Sequence, residues 1–306
     1  MGVVTLSAEQ VREAVPMPRA VAAVRQGFVD LAAGHFEMPT RTALRDGQFL
    51  DMACHHRPSA TTSFKLLSLN FAGRRPAILG SVVWSDVEGT DQLVADAAAV
   101  TTLRTGAVSG VATDLLAPAD AGRLVVVGTG AQAPDQVRAV HAVRPLSRLT
   151  LVGRDRDRAD DLADRMADEL GGVHVEATLD LEAALDAAEI VCCATTATEP
   201  LFALESLPER VHVNAIGSFR PTMRELPDEL LGDGLVLVDE RDAILEESGE
   251  VLHALDAGVL AVDDLVELGV ALTDGIRPTP RTTFKSVGVA MQDWAIGRLL
   301  ADAFLG

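Results

Sequence analysis

Tyrosine is absent from all 306 residues. A reaction that draws its proton from a phenol is thereby excluded, and any proton must come from Lys, His, a carboxyl group or water. Cysteine is scarce: Cys54, Cys192 and Cys193 show no metal-ligand spacing, and the adjacent pair lies in a run patterned like a buried strand. That usage fits a reduced, cytoplasmic compartment, with neither a disulfide framework nor a metal centre. Cations are outnumbered, 26 Lys plus Arg against 45 Asp plus Glu, for a formal charge of −19. Phosphate-backbone binding is not expected of such a chain, and the acidity reads as a solvated, mutually repelling surface. No apolar run reaches the ~18 residues of a membrane span, and Met1 to Gln10 lacks a charged-then-apolar signal pattern. The expectation is a soluble cytoplasmic protein, long enough for roughly two domains.

What the sequence does have is the stretch Leu124 to Ala133, LVVVGTGAQA. Its apolar opening reads as a buried strand. Gly128-Thr129-Gly130 then turns the chain tightly enough for backbone N–H groups to approach a pyrophosphate at a helix N-terminus, with Ala133 in place of the usual third glycine. Alone, the match equally describes a strand-to-helix turn without a ligand. Its context favours the ligand. The runs LTLVGR (149–154), IVCCATT (190–196), VHVNAIG (211–217) and LVLVDE (235–240) recur at intervals that leave room for helices, the rhythm of a parallel sheet with crossovers. The fold class is therefore α/β, with a Rossmann dinucleotide-binding domain over residues 118–280 and residues 1–117 left to supply the substrate.

In that first part, Ser7-Ala-Glu-Gln10 is a capping-box pattern, and Pro18 belongs in the first turn of a helix that Gly34 closes. Alternating stretches follow at EMPTRTAL (37–44), QFLDMACHH (48–56), TTSFKLLSL (61–69) and AILGSVVWSD (77–86). Gly47, Gly73 and Gly89 stand at the breaks, which reads as an antiparallel sheet. The chain ends in an amphipathic helix within residues 281–306, whose apolar face needs a partner and is expected to return to the first domain.

Three cations stand out there: Arg41, Lys65 and Arg104. Lys65 sits among alternating apolar residues, where an ammonium is either on the solvent face of an edge strand or buried with a partner. Arg104, among small residues, either braces the junction before the dinucleotide strand or binds a ligand. Together they suit a carboxylate-bearing substrate, because guanidinium grips a carboxylate bidentately and Lys adds a point charge or a proton. His55 and His56 either line the same pocket or are satisfied structural histidines. In the charge-dense run 153–170, Arg154 falls at the end of the second dinucleotide strand, where an Arg accommodates a 2′-phosphate. NADP(H) is accordingly favoured over NAD(H), the alternative being a solvated Arg154.

Taken together, TTLRTGAVSG (101–110), VVVGTGAQA (125–133), NAIGSFRPTMREL (214–226) and FKSVGVAMQDWAIG (284–297) make the chain resemble the ornithine cyclodeaminase and mu-crystallin family, in the family's order over nearly its whole length. The resemblance implies an α+β substrate-binding and dimerisation domain, 1–117 plus 281–306, completed by the C-terminal helix and separated by a cleft from the Rossmann domain. It places Arg41, Lys65 and Arg104 at the substrate, and Gly128, Thr129, Gly130, Ala131 and Gln132 at the dinucleotide, with Thr195 and Arg154 in the same cofactor set. It also implies a homodimer.

Cyclodeaminases of the family carry an aspartate two residues after the glycine of the NAIG-type motif; here that position is Phe219, which accepts no proton. The resemblance is therefore closest to the ketimine and pyrroline-2-carboxylate reductases. The expected reaction is NAD(P)H-dependent reduction of Δ1-pyrroline-2-carboxylate or its six-membered homologue to a cyclic imino acid such as L-proline. Lys65 would serve the imine nitrogen, Arg41 and Arg104 the carboxylate, and Phe219 would form an apolar wall. Three other readings stay open: an alanine dehydrogenase-like enzyme needing ammonia, an ornithine cyclodeaminase, and a crystallin-like protein that binds NADPH without turnover.

Overall fold

A computed structural model describes residues 2–45, 47–70, 77–89 and 91–306; Gly73, one of the anticipated breaks, lies outside them. The chain forms two compact units, Met1–Val108 with Val289–Gly306, and Ser109–Gly288.

The first unit holds β1 (Val3–Leu6), α1 (Ala8–Ala14), α2 (Met17–Ala32), β2 (Phe36–Glu37), β3 (Thr42–Leu44), β4 (Phe49–His56), β5 (Thr61–Leu69), β6 (Ile78–Asp86), β7 (Gln92–Asp96) and the start of α3 (Ala97–Leu116). The strands form one sheet in the order β1-β7-β6-β5-β4-β2, with β3 beside β4. It is antiparallel except at one edge, where β1 runs parallel to β7. The EMPTRTAL stretch makes two short strands rather than one, since the intervening Pro39 has no N–H to give a ladder. Ser7 and Gln10 close both bonds of the capping box on α1, and Gly34 follows α2 with φ of +72°. The chain's terminal helix packs on α2 and on β4 to β7 and is buried continuously over residues 290–297. Phe28, Val24, Val82, Leu93, Met291 and Trp294 are among the buried apolar residues of this unit.

The second unit continues with β8 (Arg123–Val127), α4 (Ala133–Val143), β9 (Arg148–Val152), α5 (Arg156–Glu169), β10 (His174–Thr178), α6 (Leu181–Leu185), β11 (Ile190–Cys193) and β12 (Val211–Ala215). Then come α7 (Asp228–Asp233), β13 (Leu235–Val238), α8 (Arg241–Glu247), α9 (Gly249–Asp256), β14 (Leu265–Glu267), α10 (Leu268–Asp274) and β15 (Arg281–Lys285), before the terminal helix, α11 (Ala290–Phe304), re-enters the first unit. All eight strands are parallel, in the order β10-β9-β8-β11-β12-β15-β13-β14. The order reverses between β8 and β11, the switch point at which doubly wound sheets bind ligands beyond their strand ends. Both faces are covered: Val125 and Val127 enter one apolar cluster, while Leu124 and Val126 enter the other.

The boundaries fall after Val108 and after Gly288 rather than at 117/118 and 280/281. α3 is a single helix buried without a break over 99–113, so no polar segment marks the passage between units. Residues 281–285 form β15, between β12 and β13, although they read RTTFK. Its polar side chains find partners: Arg281 reaches Asp233 and the Pro208 carbonyl, Thr282 meets His212, and Lys285 meets Ser218.

Candidate functional site

In the second unit, β8 delivers the glycine turn at the switch point. Gly128 adopts φ of +111° and donates to the Val152 carbonyl at 2.8 Å. A Cβ built there would lie 2.5 Å from the Ala194 carbonyl oxygen, so only glycine fits. Space opens at Gly130, where an added Cβ meets nothing within 4 Å. The N–H groups of Gly130, Ala131 and Gln132 have no acceptor among the described residues, and Gln132 makes no side-chain cap on α4. The result is a row of free donors at a helix N-terminus, the geometry that receives an anion. Pro134 occupies the first turn, where its missing N–H costs no helical bond.

Thr129 packs beside Gly153, its methyl 2.9 Å from the position of a Cβ there, and its carbonyl faces the Arg158 guanidinium at 3.4 Å. Arg154 follows β9, exposed and with no ion pair among the described residues. The carboxylate of Asp155 caps α5 by accepting the Arg158 N–H at 3.2 Å. Strand end and helix start thus present cations beside the glycine turn, with the adjacent acid occupied.

The neighbouring strand ends are fixed by buried ions. Glu225 accepts the N–H and hydroxyl of Thr195 at 2.6 and 2.8 Å through one oxygen, and the Gly217 N–H at 2.8 Å through the other. Burial pushes its pKa up, with the Lys285 charge opposing. Lys285 donates to the Ser218 carbonyl and hydroxyl, and the hydroxyl in turn donates to Glu250. Thr195 therefore spends its donors on Glu225 and offers the glycine turn its methyl, 3.3 Å from the Cβ position of Gly128. Phe219 packs against the unit's core, with the Arg220 guanidinium 5.3 Å from its ring centroid.

The first unit carries a second constellation. Lys65 points from the buried face of β5, and its ammonium is 2.9 Å from both carboxylate oxygens of Asp293 on α11. Each side chain is 1% exposed. Arg104 on α3 places Nε 3.5 Å from Asp293 and donates through Nη1 to Gln292 at 2.6 Å; Nη2 takes no partner among the described residues. Desolvation lowers the Lys65 pKa to about 8, Asp293 pulling it upward and the charges of Arg104 and Arg41 pushing it down. Three of the sequence candidates thus act on one another. Lys65 is the buried, partnered residue of the two alternatives, not an edge-strand cation.

Asp293 and Gln292 escaped the sequence reading. The signal was present, since a lysine on a buried alternation requires a counter-ion, and Asp293 is the carboxylate within the fully buried stretch of α11. His55 contacts Thr62 at 3.2 Å, and His56 contacts Ser59 at 2.7 Å.

The profile of the ornithine cyclodeaminase/mu-crystallin family matches residues 2–306. A Delta(1)-pyrroline-2-carboxylate reductase of Bacillus cereus is 31% identical over 313 residues, covering 97% of this chain and 95% of that protein. Ketimine reductase mu-crystallin of Mus musculus is 33% identical over 214 residues, 69% of this chain and 64% of that protein. Among solved structures, Delta(1)-pyrroline-2-carboxylate reductase of Thermococcus litoralis in complex with NADH and L-proline matches with a TM-score of 0.92 at 26% identity, covering 99% of this chain and 97% of that one.

Proposed function

The chain belongs to the ornithine cyclodeaminase/mu-crystallin family, and from that premise we propose that it reduces a cyclic ketimine carboxylate, Δ1-pyrroline-2-carboxylate or its six-membered homologue, to the cyclic imino acid. The observation that carries this reading is the buried Lys65–Asp293 pair with Arg104 beside it. Such a substrate needs a cationic grip on its carboxylate and a proton held at its ring nitrogen. Arg104, with Nη2 unengaged and Arg41 in electrostatic reach of the same lysine, supplies the grip. Lys65, at a pKa of about 8, holds a proton near neutrality and can release it, which an ordinary lysine near 10.5 does poorly. Asp293 orients the ammonium by engaging both of its own oxygens.

A nicotinamide dinucleotide suits the second unit on structural grounds: the backbone donors of Gly130, Ala131 and Gln132 are free, and the turn at Gly128 leaves no room for a side chain. When bound, it supplies the hydride. The three donors would hold the pyrophosphate, and Glu225 would keep Thr195 and Gly217 fixed beside it. Arg154 and Arg158 favour NADPH, since they offer a 2′-phosphate two guanidinium groups while Asp155 is committed to its cap. Phe219 leaves the loop after β12 without the carboxylate that cyclodeamination uses, and it serves as an apolar surface. The first unit is read as the substrate-binding and dimerisation part of a homodimer.

The test is absorbance-monitored oxidation of NADPH and of NADH with Δ1-pyrroline-2-carboxylate, beside pyruvate plus ammonium. Turnover of the cyclic imine, faster with NADPH, is the expected result. Activity strictly dependent on ammonium, with none on the imine, would replace this reading with an amino-acid dehydrogenase.

A further inference from the structure

Away from these constellations, three metal-ligating side chains from separate elements of the first unit converge: Asp30 near the end of α2, His35 just beyond it, and His56 at the end of β4. Their candidate ligand atoms all lie within 4.8 Å of one another. We propose that Asp30, His35 and His56 form a binding site for one zinc-class divalent cation, with a fourth position open to solvent beside His35.

The backbone holds the three groups together independently of their side chains. Phe36 pairs with His56 across β2 and β4, the His35 N–H reaches the Asp30 carbonyl at 3.0 Å, and the Arg57 N–H reaches the His35 carbonyl at 2.9 Å. The side chains nonetheless do not hydrogen-bond to one another. Asp30 Oδ1 stands 3.6 Å from His35 Nδ1, and Oδ2 stands 3.6 Å from His56 Nε2. These gaps exceed a hydrogen bond but approach the edge of about 3.4 Å between ligands of a tetrahedral zinc with bonds of about 2.0–2.1 Å.

His56 carries the strongest indication. The residue is 5% exposed, and its Nε2 is buried with no hydrogen-bond partner while facing the carboxylate. Its other nitrogen is 2.7 Å from Ser59 Oγ, which is 2.7 Å from Thr61 Oγ1, where the Trp294 indole donates at 2.8 Å. With Nδ1–H donating into that chain, Nε2 keeps its lone pair for a metal, the outer-shell arrangement that orients ligating histidines. Gln26 likewise fixes Asp30 by donating to Oδ1 at 3.0 Å. The opposing charge of Arg298 is held over the Trp294 ring, 5.7 Å from its centroid. His35 has a side chain 43% exposed, which gives a cation its entry and gives the ring freedom to close the last gap. Two imidazoles and one carboxylate suit zinc or cobalt better than magnesium or calcium.

The test is titration of the untagged, metal-free full chain with Zn(II) by calorimetry and with Co(II) by visible absorption. One equivalent per chain, with the d–d intensity of a four-coordinate cobalt, is expected. Asp30→Asn and His35→Ala, both outside the packed core, should each weaken binding about 100-fold or more, and Ser59→Ala about 10-fold. No stoichiometric binding, binding unchanged in both ligand variants, or a thiolate-to-cobalt charge-transfer band implicating Cys54 would each overturn the proposal.

Discussion

Asp293→Asn isolates the proton-holding pair, because it removes a charge while keeping the shape of the side chain. In the native chain Asp293 offers Lys65 two oxygens at 2.9 Å and opposes both burial and the repulsion of Arg104 and Arg41, leaving the lysine at about 8. Cys54, a further titratable group near Asp293, has its thiol pushed well up by burial and stays neutral. Without the carboxylate, Lys65 keeps every influence that lowers its pKa and falls toward the ~5–6 of lysines buried without a counter-ion. At pH 7 a group of pKa 8 is roughly nine-tenths protonated, and one at 5 to 6 roughly a tenth or less. Protonation alone therefore lowers kcat/KM about 10- to 100-fold at pH 7, up to the lower end of the ~10²–10⁴ that a positioned acid contributes.

The sign follows from the protonated form being the active one. With Lys65 in the proposed role, activity is expected below the lysine's pKa and should be lost as pH rises through about 8 in the native protein; in the variant the same loss should occur at lower pH, with acidification recovering rate. The assay is the pH profile of kcat/KM on the cyclic imine for both proteins. Titration of the substrate is common to the two profiles and cancels in their ratio. A descending limb that stays in place, with kcat/KM within twofold at pH 7, would refute proton delivery by Lys65, provided thermal unfolding shows the variant folded.

Arg104→Lys keeps the charge but loses the planar fork, so kcat/KM should fall about 10- to 100-fold, chiefly through KM, as expected for one charge-assisted hydrogen bond; an unchanged KM would detach Arg104 from the carboxylate. Arg154→Gln should lower kcat/KM with NADPH about 10- to 100-fold and leave NADH within twofold, while an unaltered ratio would place 2′-phosphate recognition elsewhere. Gly217→Ala puts a methyl 2.2 Å from the Thr195 carbonyl and 2.5 Å from Glu225, so a loss of about 3 kcal/mol or more is expected in urea unfolding; a midpoint equal to wild type would mean that the loop yields. His212 is pushed down to about 4 by burial from its ordinary 6.5. The unfolded chain then binds more protons between those values, and stability should drop by about 3 kcal/mol as pH falls from 6.5 to 4. His212→Gln should flatten that slope, and an equally steep slope in the variant would assign it to other groups.

The sequence made the second unit's framework legible because parallel strands buried on both faces read as near-continuous apolar runs, as at 124–127, 190–193 and 235–238, with Thr150 alone interrupting 149–152 and His212 and Asn214 interrupting 211–215. β10 and β15 were missed for opposite reasons. β10, HVEAT, is an edge strand with partly exposed side chains, so it never builds an apolar run. β15, RTTFK, lies inside the sheet but spends its polar side chains on His212, Asp233, Ser218 and Glu250, and those partners come from distant segments. Family membership, by contrast, was readable because it rests on four local motifs in order.

The same distinction governs the site. Glycines and cations are local signals, and Gly128, Lys65 and Arg104 could be named from their neighbours in the chain. Asp293 lies 228 residues from Lys65 and sits in a helix turn whose other members are apolar, amide or glycine, so no spacing links the two. Energetics links them instead. An ammonium 1% exposed on an apolar strand face is tolerable only beside a carboxylate, and a carboxylate 1% exposed in a buried helix only beside a cation. Each residue is anomalous alone, and the anomalies are complementary in sign. The same reasoning applied to His56 finds a buried nitrogen facing a carboxylate at 3.6 Å with no proton-mediated bond between them. With Nδ1–H donating to Ser59, that nitrogen and the carboxylate are both acceptors, and the partner that complements them is the cation proposed above.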